Sequence, residues 1–219
     1  MPPRRVPAAP RAAAAALALA ALAGGCAGGT TVAARPEFAL ERGRSTILIV
    51  PGPRDPEAAS TTREAARLLT GELGARFFNV VDVEFVLGAS PELAPVVGRL
   101  ARQAVSGQLL DRAAAEILFQ RHGIGQVLVV DVFRYEQYWG RDTKITRVGI
   151  DARLVHVAEG RILWHARSDP EYSGSPGHAF DAAARRGVRE LVRAMTGELP
   201  DVKDTPLANW PIIEHFMPN

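Results

Sequence analysis

Short apolar runs alternate with amphipathic stretches along the chain from residue 46 onward. Residues 46–50 form a continuous apolar run closed by a Pro-Gly-Pro turn, which is typical of a buried strand. Asp55 and Pro56 then suit the start of a helix, and apolar residues at helical spacing continue to Gly74. Residues 77–86 alternate between apolar and polar positions, which predicts a second strand.

The stretch that follows is less regular. Pro91, Pro95 and Gly98 interrupt residues 88–106, so we expect no long helix there. Residues 108–121 carry an apolar stripe at helical spacing and predict a helix.

The second half of the chain predicts three consecutive strands and a closing helix. The strands cover residues 126–139, 143–157 and 161–167, and short turns join them into an antiparallel meander. The helix runs from Ser175 to Thr196. The predicted fold class is therefore α/β (α+β), with a single mixed sheet of about five strands packed by about three helices.

The N-terminus has the parts of an export signal. Arg4, Arg5 and Arg11 precede an apolar segment at residues 12–23, and two glycines then lead to Cys26. The apolar segment is too short to span a bilayer, so residues 1–25 are interpreted as a signal peptide.

The run Leu22-Ala23-Gly24-Gly25-Cys26 resembles the lipobox of bacterial lipoproteins, although the family usually has Leu where Ala23 stands. The resemblance implies cleavage before Cys26 and its acylation with fatty acids such as palmitate. Ala27, which follows the cysteine, implies the outer membrane, with the domain facing the periplasm. The alternative is an ordinary secretory signal with a chance cysteine.

The mature chain divides into three further parts. Residues 26–45 comprise the lipidated cysteine and a segment without sustained periodicity, which we interpret as a flexible tether. Residues 46–197 form the periplasmic domain, and residues 198–219 form an extended tail with four prolines. The tail also holds apolar residues, so it either docks on the domain or binds a partner.

Composition excludes several classes of protein. Hydrophobic residues make up 47% of the chain and charged residues 23%, which is the balance of a globular domain. The single cysteine excludes an internal disulfide framework. Without residues 1–25 the chain has 23 basic and 24 acidic residues, so no nucleic-acid partner is expected.

The order of elements after a lipobox resembles a group of small lipoproteins and envelope domains that includes CsgG, LpoB and the TolB N-terminal domain. The similar residues are the first apolar strand, the Gly-Ile-Gly-Gln-Val-Leu-Val run at 123–129 and the Gly-Arg-Ile-Leu-Trp run at 160–164. The resemblance implies a non-enzymatic module that binds or assembles proteins in the cell envelope. An oligomeric secretion pore is the alternative, and homo-oligomers are therefore possible.

The sequence offers little for catalysis. The common nucleotide-binding, metalloprotease and dithiol motifs are absent, so no catalytic residue, metal or cofactor is expected. Ser175 and His178 lie close together and leave an envelope hydrolase as a further alternative, although Ser175 suits a helix cap better.

Candidate binding residues cluster around the predicted turn between the first two meander strands. Tyr135, Tyr138, Trp139 and Arg141 are of the types that dominate protein-binding hot spots, so we predict a partner-binding site there. The alternative is that the rings cover the end of the core. Asp131 interrupts an apolar strand, and either an ion partner or a helix end would explain it.

Overall fold

The structure is a computed structural model, and it describes residues 30–35, 37–38, 45–76, 78–106, 112–141, 143–173, 179–198 and 204–205. The described strands are β1 (Thr31–Ala34), β2 (Thr46–Pro51), β3 (Val80–Asp82), β4 (Ile124–Trp139), β5 (Lys144–His156), β6 (Arg161–Ser168), β7 (Glu171–Ser173) and β8 (Asp204–Thr205). The described helices are α1 (Ala59–Gly74), α2 (Val83–Ala89), α3 (Ala94–Ser106), α4 (Arg112–His122) and α5 (Ala179–Thr196).

All eight described strands belong to one mixed sheet with the order β3-β2-β4-β5-β6-β1-β8, and β7 pairs with the outer part of β5. The β3, β2 and β4 strands are parallel, whereas β4, β5 and β6 form the antiparallel meander. The predicted fold class is confirmed, although the described part has more strands and helices than expected.

Helices cover both faces of the sheet. On one face, α1 and α5 pack over Ile47, Ile49 and Leu128. On the other face, α2, α3 and α4 pack over Leu48 and Val50. The β2 strand is apolar on both faces because it lies between two helical layers, which explains why its sequence is a continuous apolar run.

The strand predicted over residues 77–86 is wrong beyond Asp82. The Asp82 carboxylate accepts a hydrogen bond from the Glu84 backbone N–H at 2.7 Å, and this N-cap starts α2 at Val83. The alternating sequence fits a strand as well as a short helix, and the cap decides between them.

The expectation of no long helix over residues 88–106 is also wrong. The α3 helix runs for 13 residues from Ala94. Pro95 stands in its first turn, where a missing backbone N–H removes no helical hydrogen bond. Gly98 lies inside the helix and does not end it.

The flexible tether predicted over residues 26–45 is wrong for Thr31–Ala34, which form β1. This strand pairs antiparallel with β6, and its Val32 and Ala33 are buried. The segment is short and lacks a long period, so its sequence gives no signal for a strand. On its other side β1 pairs with β8, which lies within the predicted tail.

We expect Val32→Asp to lower the free energy of unfolding by at least about 2 kcal/mol, because it places a charge against the core and removes an apolar side chain. Thr31→Asp is the matched control, since Thr31 is exposed on the same strand and should change stability little. Urea unfolding measures both. Equal stability of the two variants would mean that residues 31–34 act only as a linker.

Across the described ranges, none of the helices is both long and apolar enough to cross a membrane.

Candidate functional site

The β4 and β5 strands extend beyond the rest of the sheet. The β2 strand pairs with β4 only as far as Val130, whereas β4 continues to Trp139. Among the described strands, β4 pairs beyond that point with β5 alone, and β7 flanks β5. We call residues 134–139 and 144–149, together with β7, the arm.

The arm has two different faces because side chains alternate along a strand. Tyr135, Gln137 and Trp139 lie on the face that also holds α5, which we call the aromatic face. Tyr138 lies on the opposite face, where its hydroxyl donates a hydrogen bond to Glu171 at 3.0 Å. The predicted cluster of rings is therefore divided between two faces.

The rings of the arm are exposed and do not close the core. Trp139 is 78% exposed, Tyr135 48% and Tyr138 39%. The Tyr135 ring contacts the Phe180 ring of α5 edge-on at 5.2 Å, which fixes its orientation. Arg141 is exposed in the turn that joins the two strands.

Ion pairs connect the opposite face of the arm, which we call the charged face. The Asp169 carboxylate lies 2.6 Å from Arg134 Nη1 and 2.7 Å from Arg147 Nη2. Its neighbour Glu171 accepts the Tyr138 hydroxyl, and this hydrogen bond raises the pKa of Tyr138. These pairs link β4 and β5 to the segment before β7.

A network of buried charges lies at the base of the arm, on the face opposite α5. Asp131 is buried there, and it accepts the Arg54 backbone N–H at 3.2 Å while Arg54 Nε lies 3.3 Å away. Burial raises the pKa of Asp131 although Arg54 lowers it. Of the two explanations offered for a charge within this apolar strand, the ion partner is the one observed, and it is Arg54.

Asp151 is the centre of this network. Its carboxylate lies 3.1 Å from both Arg153 Nε and His165 Nε2, and 3.0 Å from Arg167 Nε. Burial raises the pKa of Asp151, but the His165 hydrogen bond and the charges of Arg153 and Arg167 outweigh it, so the pKa lies below its usual range. Burial lowers the pKa of His165. A carboxylate only accepts hydrogen bonds, so His165 Nε2 donates.

Arg153 links the network to the helical layer. Its Nη1 donates to the carbonyl oxygens of Ala104 and Val105 at 2.5 and 2.7 Å, at the C-terminal end of α3. A cation there is stabilised by the unpaired carbonyls and by the helix dipole. The sequence does not reveal this network, because alternation indicates which residues share a face but not whether that face is covered.

Several predicted residues cannot be placed. Cys26, Ser175 and His178 lie outside the described residues, so the lipidation site and the hydrolase alternative have no structural account. Within the described ranges, no group of three or more His, Cys, Asp or Glu side chains could hold a metal ion.

No protein-family model and no curated protein matches the chain. Solved structures similar to it include lipoprotein GNA1162 from Neisseria meningitidis, with 18% identity and a TM-score of 0.45 over 68% of this chain and 99% of that one. A PelC dodecamer from Paraburkholderia phytofirmans has 16% identity and a TM-score of 0.45 over 76% and 96%. The LpoB C-terminal domain from Salmonella enterica has 17% identity and a TM-score of 0.34 over 57% and 82%.

LpoB is among the proteins that sequence analysis named, whereas these similarities show neither CsgG nor TolB. Identities below 20% and TM-scores below 0.5 say nothing about what this chain binds. Its function is therefore inferred from its own residues.

Proposed function

We propose that this chain is a lipoprotein anchored in the outer membrane by acylated Cys26, and that its periplasmic domain binds another envelope protein through the aromatic face of the arm. The domain acts as a binding or assembly module, and no residue is assigned to catalysis. The observation that supports the proposal most strongly is the exposure of Trp139, at 78%, on a projecting arm.

The chemistry of the arm favours a protein partner. Trp and Tyr are enriched at the centres of protein interfaces because each ring provides a large contact area and loses little conformational entropy. Tyr135 is already held by Phe180, and its hydroxyl accepts a hydrogen bond from Gln137 Nε2 at 3.2 Å. An ordered ring binds with a smaller entropic cost than a mobile one.

The charged face supports the same interpretation. Arg134 on β4 and Arg147 on β5 both form ion pairs with Asp169, so these pairs connect the two strands on the face opposite the rings. A lipid-inserting hairpin would need an apolar face about nine to eleven residues long on each strand. Gln137, Thr146 and Lys144 share the aromatic face with the rings and break such a surface.

Membrane anchoring is tested by replacing Cys26. We expect wild-type protein to incorporate radiolabelled palmitate and to sediment with outer membranes, whereas Cys26→Ser should lose the label and move to the soluble fraction. Stable anchoring needs more than one acyl chain, so removing the acylated residue should release the protein. Ala27→Ser is the matched control and should retain the label. A Cys26→Ser protein that stays in the membrane fraction would contradict acyl anchoring.

Binding through the arm is tested by photo-crosslinking in cells. A photoreactive phenylalanine analogue replaces Trp139, and the same analogue at Phe119, an exposed ring on α4, is the control. We expect one adduct with an envelope protein from position 139 and none from position 119. An adduct with a second copy of this chain would favour self-assembly, as in a pore. Identical adducts from both positions would contradict the proposal.

A further inference from the structure

The two sides of the arm differ in what pairs with them. On one side, β5 pairs with β7. On the other side, that of β4, the Gly52 N–H donates to the Val130 carbonyl at 2.8 Å. A little further along β4, the Val132 N–H donates to Thr62 Oγ1 at 3.1 Å. Beyond Val132, the described residues provide no strand that pairs with this side of β4, and we call its backbone at residues 135–139 the open edge.

Three residues point their backbone groups toward the open edge. Tyr135 lies opposite Val148 in the pairing of β4 with β5, and the Val148 N–H donates to the Pro170 carbonyl at 3.3 Å, away from β4. Tyr135 and Val148 are therefore a non-hydrogen-bonded pair, so the backbone N–H and C=O of Tyr135 point away from β5. Because the backbone direction alternates along a strand, Gln137 and Trp139 point the same way. The open edge thus presents three N–H donors and three C=O acceptors, for which the described residues provide no partner.

A cavity of about 570 Å³ lies beside β4 where the open edge begins. Its lining includes Arg54, Ala58 and Thr61 from the chain after β2, and Val132 and Tyr135 from β4. The cavity therefore lies where β2 would continue if that strand extended along the arm. A strand paired with β4 would lie about 4.8 Å from it, so the cavity leaves room for the end of an added strand. Acidic and basic side chains both contribute to the lining, so we assign the cavity no charge preference.

The open edge lacks the features that usually protect exposed strands. Proteins prevent unwanted pairing with lysine or proline on an edge strand, with a bulge, or by covering the edge. Residues 135–139 read Tyr-Glu-Gln-Tyr-Trp, without lysine or proline, and all of them are exposed. The register shift in β4 comes before them, between Val132 and Arg134. A run of about five residues is also a common strand length. The open edge is therefore suited to accept a further strand.

The described part of the chain's own tail lies far from the open edge. Asp204 and Thr205 form β8, which pairs with β1 at the opposite side of the sheet. Three strands, β5, β6 and β1, separate β8 from β4. We therefore assign the open edge to a segment of another protein.

We propose that the partner of the arm binds as an extended segment that adds a strand at the open edge of β4. This inference rests on the proposed function and specifies how the partner is held. Backbone hydrogen bonds to Tyr135, Gln137 and Trp139 fix the register of the segment, as in other cases of strand addition. Side chains alternate along the segment too, so apolar residues at every second position lie beside the exposed rings of the aromatic face.

The positions of crosslinks test the pairing. The photoreactive phenylalanine analogue replaces Tyr135, Gln137 or Trp139 singly in the full chain in cells, and mass spectrometry identifies the attachment sites in the partner. We expect the three adducts to map to one segment of the partner, with successive attachment sites about two residues apart, since paired strands advance together.

The outcomes separate this inference from the proposed function. Attachment sites scattered over separate segments would overturn strand addition and leave the proposed function intact. Adducts only with a second copy of this chain would overturn the assignment of the open edge to another protein. The absence of any adduct from all three positions would contradict both the inference and the proposed function.

Proline at the centre of the open edge provides a second test. Gln137→Pro removes one outward N–H, and proline is tolerated on an edge strand where its N–H bonds nothing in the sheet. Gln137→Ala is the matched variant, because it also loses the amide side chain but keeps the N–H. With the analogue at Trp139, we expect Gln137→Pro to give at least about tenfold less adduct than Gln137→Ala. Equal yields from the two folded variants would overturn strand addition, and the crosslink map decides if circular dichroism shows that Gln137→Pro is unfolded.

Discussion

Replacing Asp151 with asparagine is expected to lower the free energy of unfolding by about 3–5 kcal/mol. The carboxylate is buried at the centre of Arg153, His165 and Arg167, and its removal leaves buried cations without their counter-charge. Arg153 would keep its two carbonyl partners on α3 but lose its ion pair. Urea unfolding at neutral pH measures the effect.

Asp131→Asn is the matched control. Asp131 is also buried, but its ion partner is the half-exposed Arg54, and an amide oxygen can still accept the Arg54 backbone N–H. Burial raises its pKa, so its ionised form is less favourable in the folded protein than in the unfolded chain. We expect Asp131→Asn to cost less than about 1 kcal/mol. If the two variants lose equal stability, Asp151 is not the centre of the network.

The loss of unfolding free energy caused by Asp151→Asn should depend on pH in one direction. The pKa of Asp151 is lower in the folded protein than in the unfolded chain, so its charge stabilises the fold at every pH above the unfolded value of about 4. The stability difference between wild type and variant should therefore be constant near neutral pH. It should shrink as the pH falls below about 4 and the carboxylate becomes protonated.

Replacing Tyr135 and Trp139 together is expected to weaken binding of the envelope partner at least about 30-fold, which is the effect of losing one or more interface hot spots. The double variant Tyr135→Ala/Trp139→Ala removes the two exposed rings of the aromatic face. Its stability should fall by no more than about 1 kcal/mol, because Trp139 is 78% exposed and the loss of Tyr135 removes an edge-on contact with Phe180. Surface plasmon resonance with the partner identified by crosslinking measures the affinity.

Tyr138→Ala is the control for this effect. Tyr138 is also exposed, but it lies on the charged face and binds Glu171. We expect it to leave affinity within about twofold of wild type, since rim and non-contact residues change binding little. Equal losses from Tyr138→Ala and the double variant would mean that the aromatic face is not the binding surface.

Sequence patterns predicted the fold best where a segment has one strong period. The apolar run in β2 and the long meander strands were expected within a few residues of where they lie. Patterns failed for β1, because Val32 and Ala33 are too few to give a period and their burial depends on pairing with β6. They failed also at Val83, where a hydrogen bond from the Glu84 backbone N–H to the Asp82 carboxylate, rather than hydropathy, starts α2.

The sequence predicted the hairpin that carries the rings, but not the buried network at its base. The spacing of the three rings also indicates which of them share a face. Residues 135 and 139 are four apart, an even number, so their side chains lie on the same face of the strand, whereas the side chain of residue 138 lies on the other face. The buried network was not predictable in the same way. Asp151 and Arg153 look like an ordinary polar strand face, and only the pairing of β5 with β6 brings Arg167 and His165 to them. Opposite charges at paired positions can be recognised only once the register is known.

The central claim is that the aromatic face of the arm binds a protein of the cell envelope, and a comparative pull-down tests it most directly. Detergent-solubilised envelopes are applied to equal amounts of lipidated wild type, Tyr135→Ala/Trp139→Ala and Tyr138→Ala. We expect wild type and Tyr138→Ala to retain the same defined envelope protein, and the double variant to lose it. Retention of that protein by all three would contradict the claim.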